Sequence, residues 1–512
     1  MNAADIRYAL PATAPVAVIG SGTMGAGIAQ VAALAGHPVQ LYDSREGAAA
    51  KAIADIRAGL DKLANKGKIP AEEAHAASDR LCVAHTLQEM RDARLVIEAI
   101  VEQLGAKQEL FGKLEDLVDA QCLLASNTSS LSITHIAATL RHPERLAGLH
   151  FFNPVPQMAL VEVIRGVRSD ATVVQCLHDT ALAWGKVPVV ASSTPGFIVN
   201  RLARPYYAEA LRVLNEGGAH PATIDALLRE SGGFRMGAFE LMDLIGHDVN
   251  FAVTQSVFHA FFNDPRFTPS LIQQELVQAG LLGRKSGRGF YRYGEDAEIP
   301  QPATEPEYEL PTVPLQLFGT HPLVEVIRAR YQGRVEYHGP RADHLLMKAG
   351  PGRLYVTEGR SATQQSYDYN MPDVVLVDLA LDYARATRLG VTRADQCRDR
   401  ACQAVLAVLQ SCGFAVSAMQ DVPGMVVMRT VCMLANEAAD AVNQGVCSRS
   451  DADMAMQKGV NYPRGPLAWA DAIGIDTVTN VLRQLSATYG EDRYRVSPLL
   501  QRLQASGRKF HE

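Results

Sequence analysis

The sequence predicts an α/β domain built on a doubly wound parallel sheet, followed by an all-α domain that recurs at the C-terminal end of the chain. Three observations carry this. Up to about residue 194, short apolar runs alternate with helix-length amphipathic segments, the pattern of a parallel sheet with helical crossovers. A glycine-rich turn joins the first apolar run to the first helix. The later sequence also repeats an earlier stretch at a constant offset of 228.

Val16–Ile19 is the first β-type run, and small and apolar residues continue at helix length from Thr23 to Gly36. Val39–Asp43 is a second strand, followed by an amphipathic stretch from Arg45 to Lys66 that carries Leu60 and Leu63. Further β-type runs stand at Leu81–Val83, Leu95–Ala99 and Cys122–Ser126, with a helical pattern over Leu104–Asp119. His150–Pro156 and Leu160–Ile164 read as two apolar segments joined by a proline-containing turn. From Phe197 to Gln278 the texture becomes helical, and residues 294–314, rich in Pro and Glu, read as an extended linker. Residues 195–246 match 423–474 without a gap at 13 of 52 positions, where about three or four would arise by chance. The expected organisation is a sheet domain over 1–194, a helical domain over 195–293, the linker, a small degenerate α/β segment without a cofactor over 315–420, and the second helical copy over 421–512.

The chain has 512 residues, 47% hydrophobic and 20% charged, with no apolar stretch approaching a membrane span. Forty-nine basic and fifty-five acidic side chains leave a net charge of -6, which supplies no basic field for nucleic acid or an anionic membrane and points to a small-molecule partner. Eight scattered cysteines read as free thiols, and the N-terminal stretch with Asp5 and Arg7 lacks the basic and apolar regions of a secretory leader, so the cytoplasm is expected. There is no metal-spaced His/Cys cluster, and no metal is expected.

The chemistry-bearing motifs lie where such a sheet binds ligands. Gly20-Ser21-Gly22-Thr23-Met24-Gly25 is G-x-G-x-x-G between a strand and a helix, a Rossmann-type signature for a dinucleotide pyrophosphate. Asp43 ends the second strand, where a carboxylate meets the ribose hydroxyls of NAD and repels a 2′-phosphate; Arg45 is the one residue that could soften this preference. Ser126–Ser132 follows another strand end, though such hydroxyls also cap helices. Glu162, set among Val161, Val163 and Ile164, would be costly if buried alone, and His150 on the neighbouring segment can meet it. A His oriented by a carboxylate beside a dinucleotide site suits removal of a hydroxyl proton.

These motifs together, GSGTMGAGIAQ, IEAIVEQLGAK, SNTSSLSI, GLHFFNPVPQMALVEVI, TPGFIVNR and GRKSGRGFY, resemble the L-3-hydroxyacyl-CoA dehydrogenases over residues 15–293. The further helical copy is similar to the long bacterial members that act on 3-hydroxyadipyl-CoA in phenylacetate degradation. The resemblance implies His150 as general base with Glu162 as its partner, and Ser129 and Asn200 as hydrogen-bond donors to the reacting oxygen or thioester carbonyl. For NAD it implies the glycine turn with Thr23 and Met24, then Asp43, Glu102, Lys107, Ser129, Asn153 and Lys285; for CoA, Lys66 and Lys68, with Gly59 where some members have a contacting Ser. A terminal carboxylate on the acyl chain would want a positive or donor-rich wall, for which Arg201, Arg204 and Tyr206 or Tyr207 are candidates beside Asn200, Arg201 having an equivalent in the second copy and Arg204 being the residue expected to bind it. Alternatives are a 3-hydroxybutyryl-CoA or general β-oxidation dehydrogenase, and a protein that holds NAD without turnover. Met428 stands where the repeat places Asn200 and cannot replace its amide, so the second copy is expected to be structural, filling the place of a second subunit's helical domain while leaving a homodimer of the whole chain open.

Overall fold

The computed structural model describes residues 8–512; Asp5 and Arg7, which weighed against a leader, lie outside the described residues. The chain forms two compact units. One comprises residues up to Arg201 together with Gln444–Val460, and the other comprises Leu202–Asn443 and Asn461–Glu512.

The first unit is an eight-stranded sheet: β1 Val16–Ile19, β2 Val39–Tyr42, β3 Leu81–Val83, β4 Leu95–Glu98, β5 Leu123–Ser126, β6 Leu146–Phe151, β7 Leu160–Arg165 and β8 Val187–Ser192. The spatial order is β3-β2-β1-β4-β5-β6-β7-β8. Six strands are parallel; β7 then runs antiparallel to β6, and β8 parallel to β7. The order reverses between β1 and β4, which opens the crevice where such sheets bind ligands. Helix Thr23–Leu34 is small and apolar on nearly all sides because it is buried against the sheet, with Ile28, Ala29 and Ala32 in one core with Val16, Val18 and Leu41. Helix Ala48–Asn65 buries only the stripe Ala49, Ala52, Ile53, Ile56 and Leu60, as its amphipathic sequence requires. Full burial of a side chain such as Leu60 contributes about 2 kcal/mol.

The second unit holds a second sheet, larger than the small degenerate segment expected. It has seven strands: β9 Leu315–Phe318, β10 Val335–His338, β11 Met347–Ala349, β12 Gly352–Val356, β13 Val374–Val377, β14 Arg388–Arg393 and β15 Ala415–Ala418, in the order β10-β9-β11-β12-β13-β14-β15. Its edge strand β10 is mostly exposed and polar, and β11 is only three residues long, which is why the hydrophobic pattern hid them. Residues 295–314 form no helix or strand. The offset of 228 continues into this sheet: β14 stands 228 residues after β7, helix Asp399–Ser411 the same distance after helix Ala171–Ala183, and β15 begins 228 residues after β8. As with β6, β7 and β8, β13 and β14 are antiparallel and β14 and β15 parallel.

The helices of this unit surround Val427–Asn443, which is buried over nearly its whole length and packs on helix Arg204–Asn215. Arg429, fully buried in it, donates to Glu209 (2.7 Å), to Glu216 (3.0 Å) and to the Tyr494 hydroxyl (2.7 Å), so its charge is met on every side. Among the described residues no helix is long and apolar enough to cross a membrane, and no group of His, Cys, Asp and Glu is arranged to hold a metal ion.

Candidate active site

The glycine turn lies at the reversal of strand order. Gly20 has φ +99°, and a Cβ there would sit 2.4 Å from the Ala99 carbonyl oxygen; one on Gly25 would sit 1.7 Å from that of Gly20. The fold itself therefore demands glycine at both. At Gly22 a Cβ would meet nothing within 4 Å, and Gly22 caps the helix without a side-chain acceptor for its first N–H groups. Open space beside uncapped donors at Thr23 and Met24 is the cradle a pyrophosphate needs.

Asp43, just beyond β2, accepts hydrogen bonds from Arg45 Nε and Nη2 (3.0 Å each) and from the Ser21 N–H and hydroxyl (2.8 and 2.7 Å). Arg45 and then Ser21 hold its carboxyl well below the usual range against the opposing effect of burial, so it is ionised at any working pH. Arg45, which could have favoured a 2′-phosphate, is instead engaged with Asp43.

Glu98 ends β4 with its carboxylate fully buried, taking the Lys107 ammonium (2.5 Å), the Ser126 hydroxyl (2.6 Å) and the Ile100 N–H (2.7 Å). Lys107 also lies 3.3 Å from Glu102. Glu102 in turn gathers the loop after β5, accepting from the Thr128 hydroxyl (2.6 Å), the Ser129 N–H (2.9 Å) and the N–H and hydroxyl of Ser130 (3.1 and 3.0 Å). Burial pushes the Glu102 carboxyl up, but Thr128, Lys107 and the serines outweigh it and leave it below its ordinary value. Lys107 is thus spent inside the protein, orienting Glu102. Sequence reasoning missed Glu98 and Thr128; the signal was a carboxylate inside the apolar run LVIE, the same kind that drew attention to Glu162.

His150 in β6 and Glu162 in β7 are directly opposite partners in the antiparallel ladder. His150 Nδ1 lies 2.7 Å from Glu162 Oε2, while Oε1 accepts the N–H groups of Ile198 and Val199 at 2.9 Å each. A carboxylate only accepts, so Nδ1 carries a proton, and in the neutral ring Nε2 is the nitrogen left to accept one. Asn200 follows Val199, and its amide Nδ2 lies 3.5 Å from the Ser129 carbonyl oxygen, which brings Ser129 and Asn200 together beside the dyad. Asn153 is exposed in the turn after β6, and the helix Thr23–Leu34 approaches that turn closely, for a Cβ on Gly27 would stand 2.8 Å from Val155.

Other expected residues stand apart. Lys66 and Lys68 are exposed just beyond helix Ala48–Asn65, and nothing lies within 4 Å of a Cβ on Gly59. Lys285 belongs to the second unit and lies 2.5 Å from Asp248. Arg204, expected on a pocket wall, is 6% exposed within the second unit, donates to Thr254 Oγ1 (2.9 Å) and lies over the Tyr207 ring. The helix turns it inward, so a substrate carboxylate is not assigned to it.

In the second copy the offset of 228 puts Asp378 at the place of His150 and Gly390 at that of Glu162. Asp378 accepts the N–H groups of Val426, Val427 and Met428 (2.9, 2.7 and 3.0 Å), the first two matching those that Glu162 holds in the first copy, and among the described residues no imidazole hydrogen-bonds to it.

Comparison with known proteins agrees with this layout. Residues 15–194 match the 3-hydroxyacyl-CoA dehydrogenase NAD binding domain, 196–293 and 424–510 the 3-hydroxyacyl-CoA dehydrogenase C-terminal domain, and 354–423 the 3-hydroxybutyryl-CoA dehydrogenase reduced Rossmann-fold domain. The chain is 45% identical over 485 residues to 3-hydroxyadipyl-CoA dehydrogenase of Escherichia coli (strain K12), covering 95% of this chain and 96% of that protein. It is 42% identical over 286 residues to the human mitochondrial hydroxyacyl-coenzyme A dehydrogenase, covering 54% of this chain and 90% of the relative. The crystal structure of 3-hydroxybutyryl-CoA dehydrogenase from Escherichia coli K12 superposes with a TM-score of 0.88 at 44% identity, over 97% of this chain and 99% of that one.

Proposed function

The chain belongs to the 3-hydroxyacyl-CoA dehydrogenase family and is an NAD-dependent oxidoreductase of that class, and from this premise we propose that it oxidises (S)-3-hydroxyadipyl-CoA to 3-oxoadipyl-CoA with His150 as the base. The pairing of His150 with Glu162 across β6 and β7 carries the assignment of the base. Nε2 of His150 takes the C3 hydroxyl proton, and the imidazolium so formed is stabilised by Glu162, whose other oxygen is anchored on two backbone N–H groups. Ser129 and Asn200 hydrogen-bond the reacting oxygen or the thioester carbonyl. The glycine turn with Thr23 and Met24, Asp43, Glu102, Ser129 and Asn153 hold NAD, with Lys107 orienting Glu102; Lys285 is assigned to NAD by resemblance alone. When bound, NAD+ supplies the hydride acceptor. Lys66 and Lys68, exposed and cationic, meet CoA phosphates.

The dicarboxylic substrate rests on the near full-length likeness to the Escherichia coli protein of that name. A four-carbon substrate is the second reading, favoured by the name of the solved Escherichia coli structure. The second copy, with Asp378, Gly390 and Met428 at the places of the base, its partner and the amide, serves as scaffold; a homodimer of the whole chain is compatible with this. Eight cysteines without a disulfide fit a cytoplasmic site of action. The test is NADH formation from 3-hydroxyadipyl-CoA and 3-hydroxybutyryl-CoA side by side, with His150→Ala as blank. Higher kcat/KM for the dicarboxylic thioester is expected, with a loss of about 10²- to 10⁴-fold in the variant. Equal or reversed preference defeats the substrate proposal, and an active His150→Ala defeats the base.

A further inference from the structure

The first unit takes part of its substance from the second helical copy. Ser192, at the end of β8, donates its N–H to the Val446 carbonyl (2.8 Å) and its hydroxyl to that of Gly445 (3.0 Å), and Arg201 donates to the side chain of Gln444 (2.9 Å). Helix Arg449–Gly459 then lies across β7 and β8. At its last residue, a Cβ on Gly459 would stand 2.6 Å from Leu160 Cδ2 and 3.1 Å from Val199 Cγ2. Leu160 starts β7 two residues before Glu162, and Val199 both donates its N–H to Glu162 and precedes Asn200. Gly459 therefore touches the two residues that bracket the carboxylate's anchorage, and a side chain there would have to push the Leu160 and Val199 side chains aside.

We infer that the segment Gln444–Gly459 is a positioning element for the reaction: its close approach at Gly459 fixes Leu160 and Val199, and through them the Glu162 carboxylate behind His150 and the start of the helix bearing Asn200. The inference rests on the roles proposed above for His150 and Glu162. The second unit shows the reciprocal arrangement, since helix Pro221–Glu230, which the offset of 228 pairs with Arg449–Gly459, brings Leu227 to 3.1 Å from a Cβ on Gly390 of β14. Each helical copy thus lends the same helix to the sheet of the other, and in the first unit that helix meets a carboxylate in use.

The test is steady-state kinetics of full-length Gly459→Val, alone and with Leu160→Ala, which empties the space the new side chain enters. Gly459→Val is expected to lower kcat at least about tenfold, because displacement of a catalytic group by a fraction of an ångström to one ångström is enough, while KM for NAD changes less than about twofold. Leu160→Ala in the same chain is expected to recover most of that kcat. Unchanged kcat in Gly459→Val, or a loss that Leu160→Ala does not relieve, overturns the inference. If Gly459→Val does not fold, Gly459→Ala with the same second change serves, with an expected kcat loss of about threefold and the same recovery. His150→Ala separates the two layers: if it stays active the site assignment falls, whereas if it is dead while the Gly459 variants keep full kcat, only the positioning role falls.

Discussion

Glu162 shows how fully one side chain can be used. One oxygen takes the His150 Nδ1–H and the other takes two backbone N–H groups, so every neighbour donates and none accepts. Glu162→Gln turns an –NH₂ toward one set of donors and removes the charge that stabilises the imidazolium; kcat is expected to fall about 100-fold with NAD affinity nearly unchanged, as read by turnover and by NADH fluorescence titration. Glu102 has the complementary task of shaping the Thr128–Ser130 loop, and Glu102→Ala is expected to raise KM for NAD about tenfold with a smaller effect on kcat. A carboxylate set among β-branched residues announces a buried charge, and that signal made Glu162 legible; it was equally present at Glu98. Arg204 was misplaced for a physical reason: in RPYYAEALRVLN nearly every face is buried, so periodicity does not reveal which way a given side chain turns.

The two helices that follow the first strand of each sheet differ at their N-termini. Thr23–Leu34 begins on Gly22 with no side-chain cap, whereas Pro322–Arg330 has a proline without an N–H at its first position and the His321 ring accepting the Leu323 N–H at 3.2 Å. Proline and the His321 ring thus take two of the first donors from a phosphate, so calorimetric titration with NAD is expected to give one site per chain. At the end of β13, Asp378 is entirely buried, and burial raises its carboxyl from 3.8 to about 6 against the pull of four backbone N–H groups. A carboxyl raised in the folded state binds protons more tightly there than in the unfolded chain. It therefore favours folding at low pH, and that contribution, about 3 kcal/mol, is lost as pH climbs from about 4 to 6. Asp378→Asn does not titrate, so its melting temperature relative to the parent is expected to improve between pH 4.5 and 7 in thermal melts. The central strands β1, β4 and β5 and the first helix of the first sheet were legible because their apolar runs are buried almost throughout, whereas helix Ala171–Ala183 and β8 were not read and β6 lies at Leu146–Phe151, ahead of the His150–Pro156 segment expected. The second sheet was legible only as a degenerate α/β segment, and its size and its kinship with the first sheet were not, because it keeps hydrophobicity but few identities with the first, Gly185 and Gly413 being one surviving pair.

The molecule carries one design twice, with the His150–Glu162 pair in one copy only and helices lent between them. The helical repeat was readable from identities, but the lending was not, since no local pattern tells a helix which sheet it will cover. Residues 1–293 alone lack both the segment that covers β7 and β8 and the helix Val427–Asn443 that packs on Arg204–Asn215. That fragment is expected to give no active monomer in size-exclusion chromatography with in-line assay. The borrowed segment also sets a schedule for the ribosome. Strands β7 and β8 leave the exit tunnel more than two hundred residues before Gln444 does, a delay of about 10–50 s at ordinary translation speed. Through that interval the nascent sheet bears Leu160 and its neighbours without their cover, a surface suited to a chaperone, and the unit that is begun first cannot close until most of the second has been made.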